Sequence, residues 1–146
     1  MLSIPAKAFA SIAVALPDTI STLVWCFPLH AASNTRNDVA DLIEAADVFV
    51  LSSIREGLSV TLLEAMRGAR PAVVTRVGGN AEAVADGVTG LVVPTGDPPA
   101  LAHALVDLLG DPARARAFGE AARRRYLERY TADRMVRETE ALYRLG

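Results

Sequence analysis

Two glutamates, Glu56 and Glu64, stand eight positions apart, directly after an apolar run in the middle of the chain. Residues 48–51 are β-branched or aromatic at nearly every position, which is typical of a strand covered on both faces of a parallel sheet. A short polar connection follows, and residues 62–67 have the apolar spacing of a helix. In open parallel sheets, ligands bind outside the carboxyl ends of the strands, where helix N-termini offer backbone N–H groups and a positive dipole end. The segment from Glu56 to Glu64 is therefore predicted to lie where a phosphorylated ligand binds.

Length and composition indicate a single domain of ordinary size. The chain has 146 residues, enough to bury a core, and a formal net charge of −2, which gives no reason to expect nucleic acid or an anionic membrane as a partner. Its single cysteine, Cys26, excludes an intramolecular disulfide and fits a reducing cytoplasm.

The first 34 residues differ from the rest, because they carry only two charged side chains. A signal peptide needs a basic segment ahead of its apolar stretch, and this stretch has a single lysine and no convincing cleavage site. Two prolines and an aspartate interrupt the apolar run that a membrane-spanning helix would need. We therefore expect residues 1–34 to be an apolar leader that is partly strand, with one strand near residues 21–27 joining the sheet.

Strands and helices alternate from residue 35 onward, which predicts βαβ units with right-handed crossovers. The first helix is capped by Asn37 or Asp38, since its apolar positions recur at helical spacing at Val39, Leu42, Ile43 and Ala46. The predicted strands are 48–53, 71–75 and 90–94, and the later helices are 62–68, 82–85, one that Asp97 opens, 111–130 and 131–145. The expected fold class is α/β, a Rossmann-like parallel sheet flanked by helices.

Three motifs carry a resemblance to a known family. They are DVADLIEAADVFVLSS, then EGLSVTLLEAM with its Glu-x(7)-Glu spacing, then VTRVGGNAEAVADGVTGLVVPTGDPPALA. Together they resemble the C-terminal, donor-binding half of a retaining glycosyltransferase of family 4, in the GT-B class. The resemblance runs from Asp38 to Leu145, about three quarters of the chain. It implies one half of a GT-B fold, with residues 35–146 as the donor domain, and a nucleotide sugar as the substrate.

The resemblance also implies a role for particular residues. Glu64 would accept hydrogen bonds from the ribose hydroxyls, and Glu56, the catalytic candidate, would face the donor sugar. Backbone N–H groups for the sugar or the phosphates would come from the segment of Gly57, Leu58 and Ser59, and the Gly78–Gly79 turn would approach the same ligand. The base would be held by Arg36, Asn37 and Val39. No metal or covalent cofactor is implied.

Simpler interpretations of the same residues stay open. Thr61-x-x-Glu64 fits a capping box, in which Glu64 would serve only the start of its own helix. Glu56 fits a solvated loop acid, and the two glycines fit any tight turn. His30 and His103 have no companion ligands at metal spacing.

The chain also departs from the family pattern. The family has an acceptor domain ahead of the donor domain, and an Arg and a Lys five positions apart that neutralise the diphosphate. Ahead of Asp38 this sequence has Lys7 and Arg36, which do not form such a pair, and Leu2 stands where the partner of Lys7 would be. We expect a donor domain that is completed by a missing N-terminal acceptor domain or by a separate subunit. The alternative is a non-catalytic nucleotide-sugar-binding module or a degenerate remnant.

Overall fold

The computed structural model describes residues 12–16, 21–25 and 39–144. Within them the strands are β1 Ile12–Leu16, β2 Ser21–Trp25, β3 Val48–Leu51, β4 Ala72–Thr75 and β5 Gly90–Val93. The helices are α1 Val39–Ala45, α2 Val60–Arg67, α3 Asn80–Ala83, α4 Pro98–Gly110, α5 Pro112–Arg129 and α6 Ala132–Tyr143. The α/β class predicted from the sequence is confirmed.

The five strands form one sheet in the order β2-β1-β3-β4-β5. β1, β3, β4 and β5 run parallel, and β2 pairs antiparallel with β1 at the edge. The strand predicted near residues 21–27 does join the sheet, as β2. Strand β1 was not predicted, because all five of its residues are apolar and show no alternation of apolar with polar positions.

Side chains of β3 alternate between two hydrophobic clusters, one on each face of the sheet. Phe49 and Leu51 pack with α1, α2, α3 and part of α5 on one face. Val48 and Val50 pack with α4 and the first half of α5 on the other face. Both helical layers therefore cover β3, as the unbroken apolar run predicts.

Several predicted boundaries are corrected by one to two residues. The strand predicted at 48–53 ends at Leu51, because Ser52 and Ser53 leave the sheet. The helix predicted at 62–68 starts earlier, at Val60, and the one predicted at 82–85 spans 80–83. Thr131 stands at the predicted start of α6, but its side chain makes no capping hydrogen bond.

Two aspartates cap helices as their sequence context predicts. The side chain of Asp97 accepts from the N–H of Ala100, and the side chain of Asp111 accepts from the N–H of Arg114. In both helices a proline follows in the first turn, where its missing N–H has no helical partner to lose. None of the helices in the described part of the chain combines the length and apolar content that crossing a bilayer requires.

Helix α5 crosses α2 closely enough that one position tolerates no side chain. Gly119 is buried, and a Cβ added there would lie 2.0 Å from the carbonyl oxygen of Ala69, the residue that turns the chain after α2 with a φ of 56°. Contact with backbone leaves no flexible side chain to move aside.

This packing predicts opposite effects for two glycine replacements in helices. Gly119→Ala gains helix propensity of about 1 kcal/mol, but it forces α5 away from Ala69 and is expected to lower the free energy of unfolding by about 1–3 kcal/mol. Gly110→Ala, at the end of α4 with nothing within 4 Å, is the matched control and should be neutral or slightly stabilising. Urea denaturation of both variants measures the difference, and equal stabilities would contradict the predicted contact.

Candidate functional site

The loop after β3 tethers Glu56 to the edge of the sheet. Ser53 is fully buried, and its hydroxyl donates a hydrogen bond to the Glu56 carboxylate. The carbonyl oxygen of Ser53 accepts in turn from the hydroxyl of Thr75, the last residue of β4, at 2.6 Å. Glu56 itself stays half-buried. The carboxylate is thus oriented by a buried partner while the residue remains within reach of a ligand.

The glycine turn after β4 lies directly against this loop. Gly78 has a φ of +43°, and a Cβ added there would lie 1.9 Å from the carbonyl oxygen of Glu56. A Cβ added at Gly79 would lie 3.1 Å from the Cβ of Leu58 and 3.3 Å from the carbonyl oxygen of Gly57. The two loops that the sequence predicts near one ligand are therefore in contact.

The first turn of α2 has no side-chain cap in the described structure. Ser59 occupies the N-cap position, but its hydroxyl pairs with the hydroxyl of Thr61 at 2.8 Å. The first turn also contains no acidic residue. Unpaired N–H groups and the positive end of the helix dipole, without a competing carboxylate, favour an anion at this position.

Backbone N–H groups ahead of α2 divide into two kinds. Those of Gly57 and Leu58 donate to no group within the described residues, and the space above the Gly57 Cα is open to 4 Å. The N–H of Ser59 instead donates to the side-chain oxygen of Asn80 at 3.0 Å. The Ser59 N–H, expected from the sequence to serve the ligand, is therefore already taken by Asn80, and the prediction is corrected to Gly57 and Leu58.

Glu64 lies in the interior of α2, half-buried, roughly 6 Å along the helix axis from its first residue. The alternative capping-box role required Thr61 at the N-cap and Glu64 three positions later. Since Ser59 is the N-cap and Thr61 is already helical, that role is wrong for Glu64. Its carboxylate is not used to start its own helix.

The remaining predicted site residues fall near or beyond the limit of the described structure. Val39 is the first residue of α1, whereas Arg36 and Asn37 lie outside the described residues. Within residues 12–16, 21–25 and 39–144, no three His, Cys, Asp or Glu residues are grouped so that they could hold a metal ion.

Two residues that matter at this edge received no role from the sequence. Ser53 stands in the polar connection that follows the apolar run, and Asn80 comes directly after the Gly78–Gly79 turn. Asn80 follows two glycines, which is the usual setting of a turn asparagine. Only the fold shows that its side chain reaches a residue 21 positions away.

Comparison with known proteins identifies the family. A profile described as glycosyl transferases group 1 matches residues 29–111, more than half of the chain. The chain belongs to this family. Its fold is one half of a GT-B fold, as the sequence predicts.

Individual relatives agree with this assignment. The alpha-maltose-1-phosphate synthase of Mycolicibacterium smegmatis is 40% identical over 112 residues, which cover 73% of this chain and 29% of that protein. The sucrose-phosphate synthase of Thermosynechococcus elongatus superposes with a TM-score of 0.72 at 31% identity, covering 78% of this chain and 29% of that one. HepE of Anabaena, crystallised in complex with UDP-glucose, has the same fold. It superposes with a TM-score of 0.70 at 24% identity, and the match covers 74% of this chain and 30% of HepE. The chain thus spans less than a third of each of these proteins.

The contact between the loops predicts that Gly78→Ala acts on Glu56. The alanine side chain is strained at the positive φ and also collides with the Glu56 carbonyl oxygen. We therefore expect the free energy of unfolding to fall by more than about 2 kcal/mol and the backbone amide resonances of residues 56–59 to shift. Gly87→Ala is the control, since Gly87 has a φ of +72° with nothing within 4 Å. Gly87→Ala should lose only the about 1–2 kcal/mol of stability that backbone strain costs, and the amide resonances of residues 56–59 should not shift. Similar spectra for the two variants would contradict the contact.

Proposed function

We propose that this chain supplies the donor-binding part of a retaining glycosyltransferase and binds a nucleotide-activated sugar at the carboxyl edge of β3 and β4. The observation that carries the proposal is the contact of the Gly78–Gly79 turn with the Glu56–Gly57 backbone, which joins the two motifs into one surface. The UDP-glucose complex of HepE, a protein of the same fold, supports a nucleotide sugar as the ligand class.

The diphosphate is assigned to the backbone donors ahead of α2. The N–H groups of Gly57 and Leu58 have no partner within the described residues, and the uncapped first turn of α2 adds its dipole. These donors suit phosphate oxygens because they are fixed before the ligand arrives. Gly57 also leaves open space for a close approach.

Glu64 is assigned to the ribose. A carboxylate has two acceptor oxygens, which match two neighbouring hydroxyls, and charge-assisted hydrogen bonds are stronger than neutral ones. The role is supported by the position of Glu64 inside α2, where it is half-buried and does not serve as a helix cap. The base is assigned to Arg36 and Asn37, which precede α1 in the sequence, and to Val39, the first residue of α1.

Glu56 is assigned to the donor sugar, where the reaction takes place. The buried Ser53 hydroxyl fixes its carboxylate, so that little reorganisation is needed when the sugar binds. In a retaining transfer the leaving diphosphate is stabilised by positive groups, and the acceptor attacks from the face that the donor vacates. The acceptor wall of the cleft is assigned to a missing N-terminal domain or to a separate subunit, because the matched part of this chain covers only 29% of each of these relatives.

Nucleotide binding by the 146-residue chain is the direct test. The cations that the described loops carry at this edge, Arg55 and Arg76, are both exposed, and exposed charges contribute little in salt. We therefore expect UDP or GDP to bind with a dissociation constant on the order of 0.1–1 mM, or about 4–5.5 kcal/mol. Amide resonances of residues 57–64 and 78–80 should shift on titration, and those of α6 should not. Absence of such shifts at several millimolar nucleotide would refute the donor site.

Glu64→Gln separates recognition from folding. The amide replaces one acceptor oxygen by a donor NH2, so one ribose hydroxyl loses its acceptor, and charge-assisted bonds contribute about 1.5–3 kcal/mol. We expect nucleotide affinity to fall roughly tenfold while the melting temperature stays within a few degrees. Glu120→Gln, an exposed acid on α5, is the matched control and should change neither quantity. A Glu64→Gln variant that binds like the wild type would remove the ribose assignment.

A further inference from the structure

Asn80 connects the two loops of the candidate site through its side chain. It is the first residue of α3 and is fully buried. Its Oδ1 accepts from the N–H of Ser59 at 3.0 Å, and this is the one hydrogen bond between residues 56–60 and 77–80 in the described structure. Because Ser59 N–H can only donate, the amide must direct its oxygen toward Ser59, which leaves Nδ2 pointing elsewhere.

The other contacts between residues 56–60 and 77–80 are packing contacts without a hydrogen bond. Gly78 and Gly79 meet the backbone of Glu56 and Gly57 at the closest distances that the absence of a side chain allows. Such contacts are non-directional, and each contributes only a small dispersion attraction. The bond from Ser59 to Asn80 resists separation, so the position of the Gly57–Ser59 backbone depends on it.

We propose that Asn80 is a positioning residue for the donor ligand, which holds the Gly57–Ser59 segment so that the N–H groups of Gly57 and Leu58 stay available to phosphate oxygens. The proposal rests on the proposed function and adds to it a residue that contacts no ligand atom. Because Asn80 accepts the hydrogen bond from the Ser59 N–H, only the N–H groups of Gly57 and Leu58 remain for the ligand.

The choice of an amide at this position favours a role in positioning over a role in stability. The Nδ2 of Asn80 is buried and has no hydrogen-bond partner in the described structure. One hydrogen bond stabilises modestly, whereas an unpaired buried donor destabilises by as much or more. An apolar side chain would avoid that loss. A carboxylate would accept from Ser59 equally well, but it would bring a negative charge to a place assigned to a diphosphate.

The test compares Asn80→Leu with Thr89→Val in the full 146-residue chain labelled with 15N. Thr89 is the matched control because it is also buried, and its Oγ1 accepts from the N–H of Ala85 at 2.8 Å, away from the 56–60 loop. Each variant thus removes one buried side-chain acceptor from one backbone N–H. The two readouts are the hydrogen-exchange rate of the Ser59 amide and the affinity for UDP.

For Asn80→Leu we expect Ser59 to exchange roughly tenfold faster and UDP affinity to fall threefold to tenfold, as loss of a single hydrogen bond implies. Thr89→Val should speed exchange at Ala85 alone and bind UDP like the wild type. Asn80→Asp keeps the acceptor and should restore slow exchange at Ser59. If leucine is not tolerated, Asn80→Ser gives the same test, because its hydroxyl is too short to reach Ser59.

The outcomes distinguish three claims: the donor site, the hydrogen bond between Ser59 and Asn80, and the positioning role of Asn80. Unchanged UDP affinity in Asn80→Leu, with Ser59 exchanging faster, overturns the positioning role and leaves the donor site intact. Unchanged exchange at Ser59 overturns the connection itself. If the wild-type chain shows no UDP-dependent shifts at residues 57–64, the proposed function and the ligand role of Asn80 both fail, while the exchange rates still report whether Asn80 holds the loop.

Discussion

Every side chain of β3 and β4 is buried, although each strand has only four residues. In β3 the alternate side chains divide between two clusters, with Phe49 and Leu51 on one face of the sheet and Val48 and Val50 on the other. A slip of one residue would send each group to the opposite face, so the packing on both sides fixes the register. That register determines where the chain leaves the sheet, and hence where both loops of the candidate site begin.

Parallel neighbouring strands lie about 4.8 Å apart, so their following loops must either diverge or touch. Here the two loops touch, and three interactions determine their relative position. Thr75 holds the carbonyl of Ser53, Gly78 abuts the carbonyl of Glu56, and Asn80 accepts from Ser59. Each joins a residue after β3 to a residue at or after the end of β4. The geometry around Glu56 is therefore determined by two loops rather than one.

The sequence predicts those features that depend on local pattern. The buried strands follow from their apolar runs, and α4 and α5 begin where Asp97 and Asp111 precede prolines, because capping involves residues only three positions apart. Helix α2 begins two residues before its predicted start for a related reason. Thr61-x-x-Glu64 satisfies the local capping pattern, but the helix begins at Val60, after a residue whose N–H is held by distant Asn80. Contacts across 21 or 22 residues leave no periodic signal, so the sequence does not reveal the hydrogen bonds between Ser59 and Asn80 or between Thr75 and Ser53. The Glu-x(7)-Glu spacing, by contrast, marks Glu56 and Glu64.

The contact between Gly78 and Glu56 also bears on how such a domain diversifies. A side chain at residue 78 cannot be accommodated unless the backbone at Glu56 moves, and the separation of 1.9 Å for a hypothetical Cβ leaves no small adjustment. A recombination event with its breakpoint between these two positions would combine loops shaped by different ancestors. Residues 56–80 are thus expected to be inherited as one block, whereas the exposed helix α6, which buries no residue, can be exchanged with little effect on the sheet.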